Sequence, residues 1–413
     1  MAIIKTFRGL RPLPALAAAV ASRPYDVINT EEARAEAEGN PHSFLHVVKP
    51  EIDLPADTHP YAPVVYETGR DNFQQLVAQG AFVRDSQDSL YIYRLEMDGQ
   101  AQSGIVAAAA VADYLNEVIR KHELTRPDKE EDRKNHVRIS RINAEPVFFA
   151  YPAQPELDLL VAGVEAGIPV YDFTAVDGIR HTLWVVDDPA VCAEIVRIFA
   201  EKIPFTYVAD GHHRTAAAAR VGQELREANP DHTGNEEYNY FLAVHFPDNQ
   251  LRILDYNRVV RDLNGHTPES LLAAIGEQME VIPQADVFRP SRPHTFGMYL
   301  TGKWYELQAR PGTFDPQDPI GVLDVTILGR QILEPILGIG DQRTDKRIDF
   351  VGGMRGLGEL ARRVDSGEMQ VAFSMYPVSM KQLMNIADGG FIMPPKVTWF
   401  EPKLRSGLVV YSL

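Results

Sequence analysis

The stretch FTYVADGHHR, residues 205–214, decides the fold around it. Residues 203–209 are predicted to form a short buried strand, Asp210-Gly211 a tight turn, and the alanine-rich residues 215–226 the helix that follows. A turn between a strand and a helix presents free backbone N–H groups and the positive end of the helix dipole. The stretch therefore predicts a phosphate site.

The side chains of the turn suit the same chemistry. Gly211 lets a ligand approach the main chain, and Arg214 can donate two parallel hydrogen bonds to a phosphate. His212 and His213 can stabilise charge on a phosphoryl group together with the turn amides. Asp210 can orient Mg²⁺ or an acceptor hydroxyl. The alternative interpretation is a polar helix cap that carries a surface pair of histidines.

Composition limits the class of protein. The chain has 413 residues, of which 45% are hydrophobic, so it can fill the cores of about two to three domains. Its formal net charge of -16 argues against non-specific binding to nucleic acid or to an anionic membrane surface. The single cysteine, Cys192, suits a reducing compartment, and we expect a cytoplasmic protein.

The remaining sequence alternates predicted strands and helices. Asp98-Gly99 and Asp177-Gly178 are each flanked by strand-like runs and predict hairpins. Phe44 to Lys49 is predicted as a strand, and a second α/β stretch begins after about residue 230. The fold class is therefore α/β or α+β, with three parts expected: an N-terminal α/β segment (1–104), a nucleotide-binding core (105–230) and a C-terminal α/β domain (231–413).

Two other motifs are incomplete. Residues 297–304 match most of the phosphate-loop pattern, but Trp304 stands where a Ser or Thr should bind magnesium, so we predict a hairpin there. His122-Glu123 could open a zinc-protease helix, yet Arg126 occupies the position of the second histidine. Neither a phosphate loop nor a metalloprotease is supported.

Glu123 is a candidate for acid–base chemistry. A glutamate beside a bound nucleotide can remove the proton from an attacking hydroxyl while the phosphate site holds the phosphoryl group in line. This pairing is typical of a small-molecule kinase. The alternative is a solvated charge on a polar loop.

Residues 208–214 resemble the signature of the free serine kinases in the ParB/sulfiredoxin superfamily. In sulfiredoxin a similar turn binds ATP phosphates, and in ParB an arginine-bearing turn at this place binds CTP. The kinases also carry a His-Glu pair after their first strand, which corresponds here to His122-Glu123. The longer chain is similar to a bacterial family of unknown function at residues 23–27, 393–396 and 400–403, and at both motifs.

The resemblance implies a ParB/sulfiredoxin-like core that uses ATP or ADP with Mg²⁺. It implies Glu123 as the catalytic base and free L-serine as the acceptor, because those kinases phosphorylate serine. The match covers about residues 105–225, and the residues that hold the amino acid in the kinases cannot be aligned here. Serine is therefore a weaker expectation than phosphoryl transfer to a small hydroxylated metabolite.

Further polar residues are candidates for the same site. Three lie near Glu123 in the polar segment, one lies in the N-terminal segment, and two lie in the basic tail: His122, Thr125, Arg133, Asp26, Lys396 and Lys403. A solvated surface role is the alternative for the residues of the N-terminal segment and the tail.

Three functions follow from these features. The first is a cytoplasmic kinase of a small metabolite. The second is a nucleotide-binding switch of the ParB kind without metabolite kinase activity, which would need a protein partner because nothing in the sequence suits DNA. The third is a non-catalytic sensor of an anionic metabolite.

Overall fold

The computed structural model describes all of Met1–Leu413, and the chain folds as two units. The first unit combines Met1–Leu251 with Pro402–Leu413, and the second spans Arg252–Glu401. Thirteen α-helices accompany several β-sheets. The predicted α+β class is confirmed.

The first unit is built on one mixed sheet of nine strands. The strands of this unit before residue 251 are β1 (Ile4–Lys5), β2 (Leu10–Pro12), β3 (Phe82–Arg84), β4 (Leu90–Met97), β5 (Gln100–Ala110), β6 (Ile119–Arg120), β7 (Ile142–Asn143), β8 (Val147–Tyr151), β9 (Tyr171–Thr174), β10 (Arg180–Val186), β11 (Thr206–Asp210) and β12 (Tyr240–Pro247). Its helices are α1 (Ala17–Val20), α2 (Thr30–Ala37), α3 (Leu45–Val48), α4 (Pro63–Ala78), α5 (Val111–Leu115), α6 (Pro127–Ser140), α7 (Pro155–Glu165), α8 (Pro189–Lys202) and α9 (His212–Ala228).

The strand order across the sheet is β6-β11-β8-β12-β5-β4-β10-β9, with β1 also paired to β5. The pairs β6/β11 and β8/β12 are parallel, and the other pairs are antiparallel. The predicted hairpins at Asp98-Gly99 and Asp177-Gly178 are confirmed as β4/β5 and β9/β10. At the first turn both residues have positive φ, 53° and 73°, as a two-residue hairpin turn requires.

Both faces of the sheet are covered. On one face, α7, α8 and α9 contribute buried apolar side chains such as Leu157, Phe199 and Ala218. On the other face, the ring of Phe7 lies between Tyr91 and Tyr411, with centroids 5.4 and 5.2 Å away. The sheet therefore has few exposed apolar positions, which fits its alanine-, valine- and phenylalanine-rich strands.

A separate cluster of aromatic rings holds the N-terminal helices together. Phe44 is fully buried, and its ring lies 6.1 Å from Phe73 and 5.8 Å from Phe82. The prediction of a strand over Phe44 to Lys49 is wrong, because residues 45–48 form α3. Most of this short run is buried, so its composition cannot separate a short helix from a strand.

The second unit contains a six-stranded antiparallel sheet in the order β15-β17-β16-β19-β14-β18. Its strands are β13 (Ile253–Leu254), β14 (Tyr256–Val260), β15 (Met279–Gln284), β16 (Thr295–Leu300), β17 (Lys303–Ala309), β18 (Ile348–Gly352), β19 (Val371–Ser374) and β20 (Trp399–Phe400). Its helices are α10 (Pro268–Gln278), α11 (Asp324–Leu328), α12 (Gly356–Asp365) and α13 (Met380–Asp388). The segment that imitates a phosphate loop is the predicted hairpin, β16/β17.

The end of the chain returns to the first unit. Strand β21 (Tyr411–Ser412) pairs with β7, and single bridges join Leu10 to Val410 and Ser22 to Ser406. The last twelve residues are therefore part of the core of this unit. None of the helices combines the length and the apolar character needed to cross a bilayer.

We expect Phe44→Ala to lower the free energy of unfolding by about 3–5 kcal/mol, because it removes a buried ring and leaves a cavity. Leu159→Ala is the matched control, since Leu159 is 74% exposed and its truncation should change stability by less than about 0.5 kcal/mol. Urea unfolding followed by circular dichroism measures both. Equal effects of the two substitutions would contradict the described core.

The sheet also predicts a dependence of stability on pH. His245 on β12 is buried between Phe149 and Phe199, neither ring nitrogen has a partner, and burial lowers its pKa to about 3. The unfolded chain takes up this proton below about pH 6.5 and the folded chain does not, so stability falls as the pH drops from about 6.5 towards 3.

His245→Gln should therefore lose about 2 kcal/mol less stability than the parent protein between pH 7.5 and 5. Urea midpoints at both pH values measure the difference, and His59→Gln, at an exposed position, serves as the control. If the parent protein and His245→Gln lost the same stability over this interval, the burial of His245 would be wrong.

Candidate functional site

The candidate site lies where two neighbouring parallel strands end. In the register of β6 and β11, Ile119 lies opposite Thr206 and Arg120 opposite Tyr207. The His122-Glu123 pair follows β6, and the Asp210-Gly211 turn closes β11. Because parallel strands end at the same edge of a sheet, the two motifs meet there although they lie almost ninety residues apart.

Gly211 makes the turn from β11 into α9 possible. Its φ of 97° lies in the left-handed region, and a Cβ atom would come within 3.1 Å of the Arg214 guanidinium. Helix α9 begins at His212, so the predicted start at Thr215 is three residues late. No side chain caps this helix, and its first N–H groups are directed towards the site without intrahelical partners.

Two buried histidines meet beneath the turn. The rings of His122 and His212 lie 4.5 Å apart and perpendicular, and the residues are 1% and 6% exposed. Both nitrogens of His122 and Nε2 of His212 have no hydrogen-bond partner. Burial lowers the pKa of His122 to about 4 and that of His212 well below its ordinary value. Both rings are therefore neutral near pH 7.

Glu123 lies at the mouth of the site. Its side chain is 54% exposed, and its Oε2 atom lies 4.0 Å from Nδ1 of His212. This distance exceeds that of a hydrogen bond. More than half of the Glu123 side chain is therefore in contact with solvent.

His213 connects the two loops. Its Nε2 accepts a hydrogen bond of 3.0 Å from the backbone N–H of Arg126, which belongs to the loop after β6. Burial lowers its pKa. A neutral ring with the proton on Nδ1 satisfies this bond, so His213 holds the Glu123 loop against α9.

Arg214 and Lys403 surround Asp210 with positive charge. Arg214 is 7% exposed and donates to Asp210 Oδ2 at 3.1 Å and to the carbonyl of Pro146 at 2.6 Å. Lys403 Nζ lies 3.6 Å from Asp210 Oδ1. Burial by itself would raise the pKa of Asp210, but the two cations outweigh it and hold that pKa below its ordinary value.

The guanidinium of Arg214 is therefore partly committed within the protein. Two of its five N–H groups make these bonds and its Nε has no partner, so donors remain for a ligand. Of the two tail lysines, Lys403 lies in the first unit beside the turn. Lys396 belongs to the second unit, where its ammonium lies 5.6 Å from the centroid of the Tyr256 ring.

Asp26 adds a second carboxylate to this cluster. Its side chain is exposed, yet surrounding protein raises its pKa despite the opposing charges of Arg214 and Lys403. The negative charge of Asp210 contributes to the raised pKa of Asp26.

Arg133 supports the segment that carries Asp26. Its guanidinium lies 3.9 Å from the centroid of the Tyr25 ring and pairs with Asp132 and Glu145 at 2.9 and 3.4 Å. Thr125 donates to Glu130 at 2.6 Å, within the loop and helix that follow Glu123. These contacts give both residues partners inside the protein and place them around the site.

Glu145 is a residue of this region that sequence reasoning missed. It accepts a hydrogen bond of 3.0 Å from the backbone N–H of Tyr25, and its second oxygen pairs with Arg133. Ser406 Oγ from the tail also donates to it at 3.4 Å. Its only signal in the sequence is a carboxylate next to Pro146 at the start of a strand, which is too common to single it out.

The side chains of the site that could coordinate a metal ion favour different metals. His122, Glu123 and His212 each offer a ligand atom within 4.8 Å of the others, and two imidazoles with a carboxylate suit a transition metal better than Mg²⁺. Asp210 offers the oxygens that Mg²⁺ prefers, but Arg214 and Lys403 already neutralise it. Asp210 is therefore a poor fit to direct coordination of Mg²⁺ in this arrangement.

The sequence matches a family described as "Protein of unknown function (DUF1015)" over residues 4–326. That range covers more than three quarters of the chain. A search of curated proteins finds no match.

Several solved structures are weakly similar. A free serine kinase in complex with AMP is 14% identical with a TM-score of 0.34, and the alignment covers 74% of this chain and 92% of that one. SbnI with a C-terminal truncation, from Staphylococcus aureus, is 12% identical with a TM-score of 0.38, covering 73% and 85%. A conserved hypothetical protein from Pyrococcus furiosus is 14% identical with a TM-score of 0.34, covering 74% and 95%. Such low TM-scores do not establish a common fold or activity.

We expect Gly211→Ala to destabilise the protein by about 1–2 kcal/mol, because alanine at a left-handed φ meets its own carbonyl oxygen. Gly163→Ala is the control: Gly163 lies inside α7, and a Cβ atom there meets nothing within 4 Å. The same substitution in a helix should raise stability by up to about 1 kcal/mol. Thermal unfolding measures both, and shifts of the same sign would contradict the turn.

Proposed function

The chain belongs to the DUF1015 family of proteins of unknown function, and we propose that it is a phosphotransferase of small metabolites. The donor is ATP or ADP, and the proposed acceptor is the hydroxyl group of free L-serine. The observation that carries the proposal is the meeting of Glu123 with the N-terminus of α9 at one edge of the sheet. The resemblance of both motifs to the free serine kinases supports the same reaction, and the single cysteine supports a cytoplasmic location.

The N-terminus of α9 is the proposed phosphate subsite. Its uncapped N–H groups and the helix dipole attract an anion, and Gly211 allows the Arg214 guanidinium to lie close to the main chain of the turn. Arg214 Nε and the ammonium of Lys403 add positive charge. His212 and His213, as neutral rings, line the same turn and can donate to phosphoryl oxygens without adding a charge that would have to be desolvated.

Glu123 is the proposed base. Its carboxylate takes the proton of the acceptor hydroxyl as the hydroxyl oxygen forms a bond to the terminal phosphorus of the nucleotide. The bond from that phosphorus to the bridging oxygen breaks, and the shortened nucleotide leaves with the electron pair. Because the Glu123 side chain is half exposed, the proton then passes to water.

A magnesium ion would neutralise charge on the nucleotide phosphates. Asp26 makes no ion pair at hydrogen-bond distance, unlike Asp210. It is therefore the better candidate to bind the magnesium ion, through water or directly. Asp210 is assigned instead to hold Arg214 and Lys403 in place.

We expect Glu123→Gln to lower the turnover of phosphoryl transfer by about 10²- to 10⁴-fold while nucleotide affinity changes little, because the amide keeps the shape but cannot accept the proton. The assay incubates the protein with ATP, ADP or CTP, Mg²⁺ and a panel of hydroxylated metabolites that includes L-serine, and detects phosphorylated products by mass spectrometry. Glu201→Gln, at an exposed position on α8, is the matched control and should keep full activity.

The assay also separates the alternatives. Nucleotide binding without any phosphorylated product would favour a nucleotide-dependent switch, and binding of anionic metabolites without nucleotide binding would favour a sensor. Phosphorylation of another metabolite but not of serine would keep the reaction and change the acceptor. Full activity of Glu123→Gln would remove the proposed base.

A further inference from the structure

His122 and His212 are two buried polar side chains whose ring nitrogens lack partners. The residues are 1% and 6% exposed, and the rings meet at right angles with their centroids 4.5 Å apart. Both nitrogens of His122 and Nε2 of His212 make no hydrogen bond. Buried polar groups are normally hydrogen-bonded, because a group left without a partner costs free energy. Two such rings in contact therefore need an explanation beyond packing.

A buried histidine without partners is not by itself a ligand site. Both nitrogens of His245 also lack partners, but its ring lies between Phe149 and Phe199, and burial is the one cause that shifts its pKa. The surroundings of His245 are therefore apolar. The pair formed by His122 and His212 differs, because a carboxylate lies beside it.

That carboxylate, Glu123, completes a set of three ligand atoms. Its Oε2 lies 4.0 Å from Nδ1 of His212, and His122, Glu123 and His212 each offer one ligand atom within 4.8 Å of the other two. Two imidazole nitrogens and one carboxylate oxygen are a ligand set that proteins use for Zn²⁺. Three protein ligands leave the fourth position of a tetrahedral ion for water.

The separations of the ligand atoms are near those around a bound ion. Bonds of about 2.0–2.2 Å to a tetrahedral ion place the ligand atoms about 3.3–3.6 Å apart. From separations within 4.8 Å, the three atoms have to approach one another by at most about 1.5 Å. Glu123 lies in the loop between β6 and α6, and its side chain is more than half exposed. Movement of this loop both closes the ligand set and admits an ion to the covered nitrogens of His122.

We propose that His122, Glu123 and His212 bind a divalent transition-metal ion of the Zn²⁺ type. The binding itself does not depend on phosphoryl transfer. One consequence rests on the proposed function: a Glu123 carboxylate bound to Zn²⁺ cannot take the proton of an acceptor hydroxyl. Zn²⁺ would therefore inhibit a kinase that uses Glu123 as its base.

The test is equilibrium binding of the metal alone to the full chain, after a chelator has removed any metal acquired during purification. Calorimetric titrations with Zn²⁺ and with Mg²⁺ give stoichiometry and affinity, and the visible absorption of Co²⁺ reports the geometry of its ligands. We expect one Zn²⁺ per chain to bind at least 10-fold more tightly than Mg²⁺. Co²⁺ should give the absorption of a tetrahedral ion, and Zn²⁺ should displace it.

Two variants assign the ligands. Glu123→Gln changes an exposed side chain, removes the anionic ligand, and should weaken Zn²⁺ binding at least 10-fold. His212→Gln should do the same and abolish the Co²⁺ absorption, with circular dichroism to check its fold. The matched controls are Glu201→Gln, at an exposed glutamate, and His245→Gln, at a buried histidine without partners. Both controls should bind Zn²⁺ as the parent protein does.

Absence of a site that prefers Zn²⁺ to Mg²⁺ would overturn the proposal. Equal Zn²⁺ binding by the parent protein, Glu123→Gln and His212→Gln would overturn it as well, because the ion would then lie elsewhere. Loss of Zn²⁺ binding in both variants, in a protein without kinase activity, would support the metal site and remove only the proposed function. Kinase activity that depends on Glu123, in a protein that binds no Zn²⁺, would remove only the metal site.

Discussion

The buried charge of Arg214 constrains the candidate site more than any other single group. A guanidinium removed from water must be matched by acceptors, because breaking a buried pair by removing one partner costs about 3–5 kcal/mol. Arg214 finds these acceptors in Asp210 and in the carbonyl of Pro146. The first fixes the end of β11 relative to the first turn of α9, and the second fixes the start of β8 against both. The turn is therefore rigid because its charge has to be satisfied, and a rigid turn keeps the N–H groups of α9 aimed at one place.

The same requirement involves residues 402–413, which belong to the first unit. Asp210 accepts from Arg214 with one oxygen, and Lys403 lies beside the other. Lys403 can reach this position only because the tail is anchored in the unit by β21 and by the bridge between Ser22 and Ser406. That bridge also brings the N-terminal segment with Asp26 to the turn. Three parts of the chain that are distant in sequence thus meet around one carboxylate.

Local patterns explain which parts of this arrangement could be predicted. The strand, turn and helix around Gly211 and the hairpin at Asp98-Gly99 depend on neighbouring residues. The sequence predicts each of these elements, although β11 spans Thr206–Asp210 instead of 203–209 and α9 begins at His212 instead of Thr215. The helix over 45–48 was missed because four residues, three of them buried and apolar, are too few to show a helical or a strand periodicity. The roles of Lys403 and Glu145 depend on contacts across more than one hundred residues. The basic tail and the similarity at residues 400–403 make Lys403 a candidate, but nothing in the local sequence predicts its contact with Asp210 or distinguishes Glu145 from an ordinary surface charge.

The balance of positive and negative side chains around the turn decides which ligands can bind there. Arg214 and Lys403 contribute two positive charges, and Asp210 and Asp26 contribute two negative charges when both are ionised, so the cluster by itself is neutral. In a protein with a net charge of -16, a neutral cluster would attract a polyphosphate only through the helix dipole. Asp26 is the group that can change this balance, since its surroundings raise its pKa. A proton or a divalent cation on Asp26 leaves the cluster positive. In that state the net positive charge of the cluster and the helix dipole together favour an anion at the turn.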